Sequence, residues 1–95
     1  MIVTFSGKII YWRGPAPFYF VTVPDELSQA IKSISSIVTY GWGVIPSTVR
    51  IGNTEFQTSL FPKNGQYLVP IKKSVRDAEN LDIDDEVTLQ LEFLV

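Results

Sequence analysis

The 95-residue chain contains no cysteine and no histidine. Without thiols there is no disulfide framework, no cysteine nucleophile and no thiolate ligand for zinc. Without imidazole there is no Ser-His-Asp triad and no histidine base. Charge is sparse too, at 19% of residues, with eight bases against ten acids and a net charge of −2. That balance argues against a polyanion partner and predicts no nucleic-acid ligand. No run approaches the roughly 18 apolar residues of a membrane span. The N-terminal Met1–Ile10 segment lacks the basic flank and long apolar stretch of a signal peptide. A soluble, cytoplasmic protein without a membrane partner is expected, and no motif calls for a metal or cofactor.

What the chain does have is apolar bulk: 45% hydrophobic residues, including two Trp, four Tyr and six Phe. A chain of this length forms one domain, residues 1–95, burying about 65% of its unfolded surface. Residues 1–12 mix β-branched and aromatic residues around Gly7, as a strand with a bulge or a close packing point does. Arg13–Pro17 is a loop. Phe18–Val23 is apolar at nearly every position, which predicts a strand buried on both faces. After Pro24 the period changes. Leu27, Ala30, Ile31, Ile34 and Val38 form one helical stripe, with Asp25 and Glu26 at its positive end. This helix fades through Ser35-Ser36 into a bend at Tyr40-Gly41-Trp42-Gly43.

Residues 44–51 read as a third strand, and Gly52-Asn53 as a tight hairpin of the II′ kind. Residues 54–61 return as the fourth strand, Pro62–Gly65 turns, and residues 66–71 form the fifth. Lys72–Glu79 predicts a short helix burying Val75 and Ala78. Asn80 is placed to close it in a left-handed conformation, with Leu81 folding back as the apolar partner of that cap. In the last strand Val87, Leu89, Leu91, Phe93 and Val95 alternate with polar positions. The order is β-β-α-β twice, six strands and two helices.

A shift of 48 residues superposes Tyr19–Val23 on Tyr67–Ile71, Leu27 on Val75 and Ala30 on Ala78. Each half, about 1–47 and 48–95, then carries the same elements. Pairing the halves about a pseudo-two-fold hides the sheet edges that either half alone exposes. A monomer is therefore expected.

From Trp42 onward the chain carries a signature: Trp42-Gly43, Ile51-Gly52, Thr58–Pro62, Gly65–Lys72 and Val75–Ala78. With Tyr19–Pro24 it resembles the bacterial family catalogued as domain of unknown function nineteen-oh-five. The resemblance covers nearly the whole chain. It implies a mainly β fold, a closed six-stranded double-split barrel with two capping helices. That architecture is shared with swapped-hairpin transcription factors of the AbrB and MazE type. Asn80 stands where the family usually has glycine, and Asp84-Asp85 where it usually has Gly-Asp; both tolerate turn geometry. The family offers no catalytic residue to carry over.

Four groups of residues are candidates for chemistry. Asp82, Asp84, Asp85 and Glu86 are dense enough for a cation but fail the EF-hand spacing, and read as a solvated turn. Lys72, Lys73 and Arg76 cluster at the second helix and offer a phosphate grip. Residues 49–95, however, hold five bases and eight acids. Trp12, Arg13, Tyr40, Trp42 and Arg50 sit closest to loops and are candidates to line a ligand or protein-contact groove. The favoured alternative is that both Trp side chains plug the barrel ends. Glu55 is the only acid expected to turn inward, too few for paired-carboxylate hydrolysis. The serines have neither a histidine nor a nucleophile-elbow context. The reading is a non-catalytic binding or interaction module. A DNA-associated regulator is the alternative by architecture alone, and a small-molecule enzyme a weaker one.

Overall fold

The computed structural model describes residues 1–15, 17–34 and 44–93. In chain order the elements are β1 (Ile2–Lys8), β2 (Ile10–Trp12), β3 (Phe18–Thr22), α1 (Asp25–Ser33), β4 (Ile45–Ile51), β5 (Thr54–Lys63), β6 (Gln66–Pro70), α2 (Lys73–Glu79) and β7 (Glu86–Glu92). The seven strands pair antiparallel in the order β1-β7-β4-β5-β6-β3-β2 and curl into a half-barrel. The Tyr40–Gly43 bend, Val38, Trp42 and Val95 lie outside the described residues.

The expected closed barrel of six strands is corrected at Ile9. Residues 1–12 do not run as one strand. β1 pairs with β7, and β2 pairs with β3 at the other end of the sheet. Between them, the Ile9 N–H donates to the Asp85 carbonyl at 3.0 Å and its carbonyl accepts the Asp84 N–H at 2.8 Å. With both backbone groups satisfied by a turn, Ile9 leaves the ladder while its side chain is fully buried. Gly7, just before the break, is the expected close packing point. A Cβ there would lie 2.8 Å from Val21 Cγ1, a fully buried atom.

β5 makes the same change of partner without breaking. Its residues 54–60 pair with β4 and 61–63 with β6, just as residues 2–8 pair with β7 and 10–12 with β3. β5 therefore runs through Pro62, which the sequence assigns to the turn. Beyond Leu60 the strand pairs on one side only, and a residue lacking an N–H fits such an edge. The β3–β6 ladder places residues 48 apart opposite each other at Val21 and Val69. The flanking bonds match: Val23 N–H to the Tyr67 carbonyl at 2.8 Å, and Ile71 N–H to the Tyr19 carbonyl at 2.8 Å.

The core lies on the concave side. β7 supplies Val87, Leu89 and Leu91, followed by Phe93, all buried, in strict alternation with exposed residues. Val21, Val69, Tyr67 and Ile71 come from β3, β6 and the turn after it. Burial pushes the Tyr67 phenol above its ordinary pKa, so it stays neutral in the core. Helix α1 turns Ile31 inward and rests Leu27 and Ile34 on the same cluster, with Asp25 and Glu26 in its first turn. α2 buries Val75, but Ala78 is exposed rather than buried, because seven residues give the helix room for only one deep contact.

Both two-residue turns have the left-handed residues their sequences require: Gly52 at φ 57, then Asn64 and Gly65 at φ 53 and 81. Asn80 adopts φ 54, ψ 48, and the Leu81 N–H returns to the Arg76 carbonyl at 2.8 Å. Asn80→Val is expected to cost about 1–2 kcal/mol, because a β-branched side chain clashes with its own backbone there. Asn80→Gly should be neutral or mildly stabilising. Urea melts compare the three proteins, and equal midpoints for Val and wild type would contradict the cap.

Candidate functional site

The β3 run, apolar at nearly every position, does feed two faces. Tyr19 and Val21 point to the core, while Phe18 and Phe20 point outward. Register places Ile10 beside Phe20, Trp12 beside Phe18, and Phe61 beside Leu68 on this outward face. Phe20 and Leu68 are 9% and 7% exposed, yet neither belongs to the main core cluster. They form the floor of a second apolar layer. Around it Ile10, Trp12 and Phe61 remain 44%, 42% and 43% exposed.

The aromatic geometry knits this layer together. Trp12 meets Phe18 edge-on with centroids 5.5 Å apart, and Phe18 meets Phe20 at 5.2 Å. Lys63 Nζ sits 5.0 Å from the Trp12 ring centroid, although β6 and β3 separate their strands. The right-handed twist of the sheet brings these two corners together over the outward face. The Gly14 backbone lies against the indole, since a Cβ on Gly14 would overlap the ring. Trp12 thus does not plug a barrel end, as the favoured expectation had it. It belongs to a strand that faces solvent on this side.

The other candidates separate. Arg13 follows Trp12 directly and is exposed. The Tyr19–Ile71 hydrogen bond extends the β3–β6 ladder, so that Lys72 comes beside Phe18 at the end of the outward row. Lys73 pairs with Asp77 on its own helix at 2.7 Å. Arg76 stacks on the Tyr19 ring at 3.6 Å, and Tyr19 in turn meets Tyr11 at 4.8 Å. Arg76 therefore ties α2 to the sheet from the inner side. Of the three basic candidates, Lys72 alone joins the Trp12 row. Trp42 and Tyr40 lie outside the described residues.

Arg50 is on a different surface, the outward face of β4. It lies beside Gln90 and Glu55 in register and bonds Glu55 at 3.0 Å, with both side chains about half exposed. Glu55 thus points to solvent rather than inward: its strand parity sends Phe56, not Glu55, toward the core cluster. Together with Thr48, Gln90 and Glu92 the pair lines a shallow depression of about 190 Å³. Ligand pockets usually span about 300–1,000 Å³ and are mostly apolar. This one is small, open and polar, the ordinary outer face of an antiparallel sheet.

The acidic cluster folds as a turn. The Asp85 carboxylate accepts the Asp82 N–H at 2.8 Å, the Asp82 carboxylate accepts the Ile83 N–H at 2.7 Å, and Asp84 takes φ 68. Sequence reasoning missed the pairing of Trp12 with Lys63 and the exposure of Phe61. The signal was present in β3, whose outward residues needed an apolar partner layer.

No curated protein matches the chain. A family model described as domain of unknown function (DUF1905) matches residues 5–91, from Phe5 in β1 to Leu91 in β7, and so takes in both apolar layers. A match over nearly the whole chain settles membership: this protein belongs to the DUF1905 family.

Proposed function

We propose that this chain is a non-catalytic binding module whose working surface is the outward face of β2, β3 and β6, centred on Trp12. The observation that carries the reading is the second apolar layer: Phe20 and Leu68 form a floor outside the core, with Ile10, Trp12 and Phe61 left partly open around it. Folding alone does not require large apolar side chains on a solvent face, and here they gather over one buried floor rather than lying scattered singly. The depression around Arg50 is shallow and polar, lined by Thr48, Arg50, Glu55, Gln90 and Glu92, and has no such apolar floor.

A duplicated, double-split architecture is part of the same proposal. Its support is the pairing of residues 48 apart at Val21 and Val69 and the matched seven-and-three partner change of β1/β2 and β5. On that reading Trp12 and Lys63 are equivalent positions of two halves that have since diverged, so their meeting point is asymmetric. A monomeric cytoplasmic protein is the expected working form.

The test is a thermal-shift screen read alongside intrinsic fluorescence. A ligand at 100 times its Kd stabilises the native state by about 2.7 kcal/mol. Any hit should perturb Trp12 emission, lose its shift in Trp12→Ala and keep it in Arg50→Ala. Hits that ignore Trp12→Ala and fail in Arg50→Ala would move the site to the other sheet.

A further inference from the structure

We propose that the outward face of β2, β3 and β6 is a stacking platform for single-stranded nucleic acid, with Trp12 as its first base-stacking residue. The proposal rests on the reading of this face as the binding surface and adds the class of ligand. Its basis is the coincidence of exposed aromatic rings with a local excess of positive charge.

The net charge of −2 is a whole-chain sum and hides a strong segregation. Residues 9–24 carry Arg13 and no acid, and residues 56–76 carry Lys63, Lys72, Lys73, Arg76 and no acid. These stretches hold β2, β3, the end of β5, β6 and the start of α2, and they total +5, leaving −7 on the rest of the chain. Of the five bases, Lys73 is paired with Asp77 and Arg76 lies on Tyr19 at the inner side, which leaves three for the outward face. Arg13, Lys63 and Lys72 border the Trp12 row. Among the described residues the ion pairs are Arg50–Glu55 and Lys73–Asp77, so these three cations have no carboxylate partner.

The chemistry then divides naturally. Bases stack on aromatic rings carried by open sheet faces, with little regard to sequence, while flanking cations follow the phosphates. Lys63 at 5.0 Å from the Trp12 centroid occupies the place a base would take. An arriving base displaces that ammonium, which then meets a phosphate at the edge of the platform. Gly14 holds the indole from its own side.

Other occupants fit less well. Three large side chains at about two-fifths exposure leave on the order of 250 Å² of apolar surface, well short of the roughly 800 Å² per partner of a stable dimer. A peptide adding as a strand would meet β2, an edge of three residues followed closely by Pro15 and Pro17. Reading a duplex needs an element that enters a groove, and a sheet face with short turns presents none.

The experiment is fluorescence anisotropy with labelled oligo(dT), a mixed-sequence single strand and its duplex, each at several salt concentrations. Single strands should bind more tightly than the duplex, with a log–log salt slope near −2, about three phosphates at −0.7 each. Trp12→Ala should weaken binding on the order of tenfold, with Trp12→Phe retaining most of it. Lys63→Gln and Lys72→Gln should each flatten the slope by about 0.7, and Arg50→Ala should change nothing. If Trp12→Ala fails to fold, Trp12→Phe and Lys63→Gln carry the test. Equal binding of strand and duplex, indifference to the Lys63 and Lys72 variants, or no binding by about 10⁻⁴ M would overturn the proposal. In that last case a metabolite or peptide that still quenches Trp12 leaves the face a binding surface with another ligand. If nothing tried quenches Trp12, that reading falls as well.

Discussion

Leu91→Ala is expected to cost about 3–5 kcal/mol of folding free energy, the upper part of the range for leucine truncation in a rigid core. Leu91 is fully buried on β7, the strand that joins β1 to β4. In register it lies between Val3 of β1 and Val49 of β4, so its side chain is packed from both neighbouring strands. Hydrogen-bonded strands on both sides hold the backbone in place, and the resulting cavity cannot collapse. Small domains have about 5–15 kcal/mol of stability in all, so the variant should sit close to its unfolding transition at 25 °C. Leu91→Met keeps the volume and should lose less than about 1.5 kcal/mol. Urea denaturation of the three proteins checks both numbers. A loss below about 1 kcal/mol for Leu91→Ala would mean that the β7 register places a different residue at the centre.

Ser28→Ala should cost about 2–3 kcal/mol, far more than one hydroxyl on a helix normally contributes. Ser28 is 1% exposed on α1. Its hydroxyl donates to the Val23 carbonyl at 3.0 Å and accepts the Tyr67 N–H at 3.2 Å. Tyr67 in turn accepts the Val23 N–H. The serine thus links helix, strand end and neighbouring strand in one buried polar knot, and alanine leaves the Tyr67 amide without an acceptor. The penalty is the desolvation of that amide rather than the bond itself. Hydrogen exchange at Tyr67 should accelerate in Ser28→Ala along with a lower urea midpoint. Unchanged protection of that amide would show that the knot does not hold α1 to β6.

Local signals explain what the sequence made legible. β7 alternates without a fault, and the left-handed Asn80 and the two hairpin turns follow from residue chemistry over two or three positions. The break at Ile9 has no such signal, because Ile9 is one apolar residue inside an apolar run. Its partners, Asp84 and Asp85, lie 75 and 76 positions away, within what reads alone as a solvated acidic turn. Glu55 shows the same limit: a strand residue's face depends on register, and a slip of one position reverses it. The Trp12 site was half legible. β3 announced a second buried face, and Trp12 and Arg13 stood out, but the approach of Lys63 depends on sheet twist across four strands. Charge segregation was readable throughout and was masked by a net sum.

Backbone and indole chemical shifts followed by NMR during a titration with oligo(dT) test the central claim most directly. The account predicts shifts in the Trp12 indole, Phe18–Phe20, Phe61–Lys63 and Leu68–Lys72, with the Thr48, Arg50 and Gln90 surface unmoved. Shifts confined to that second surface, with the Trp12 indole unchanged, would contradict it.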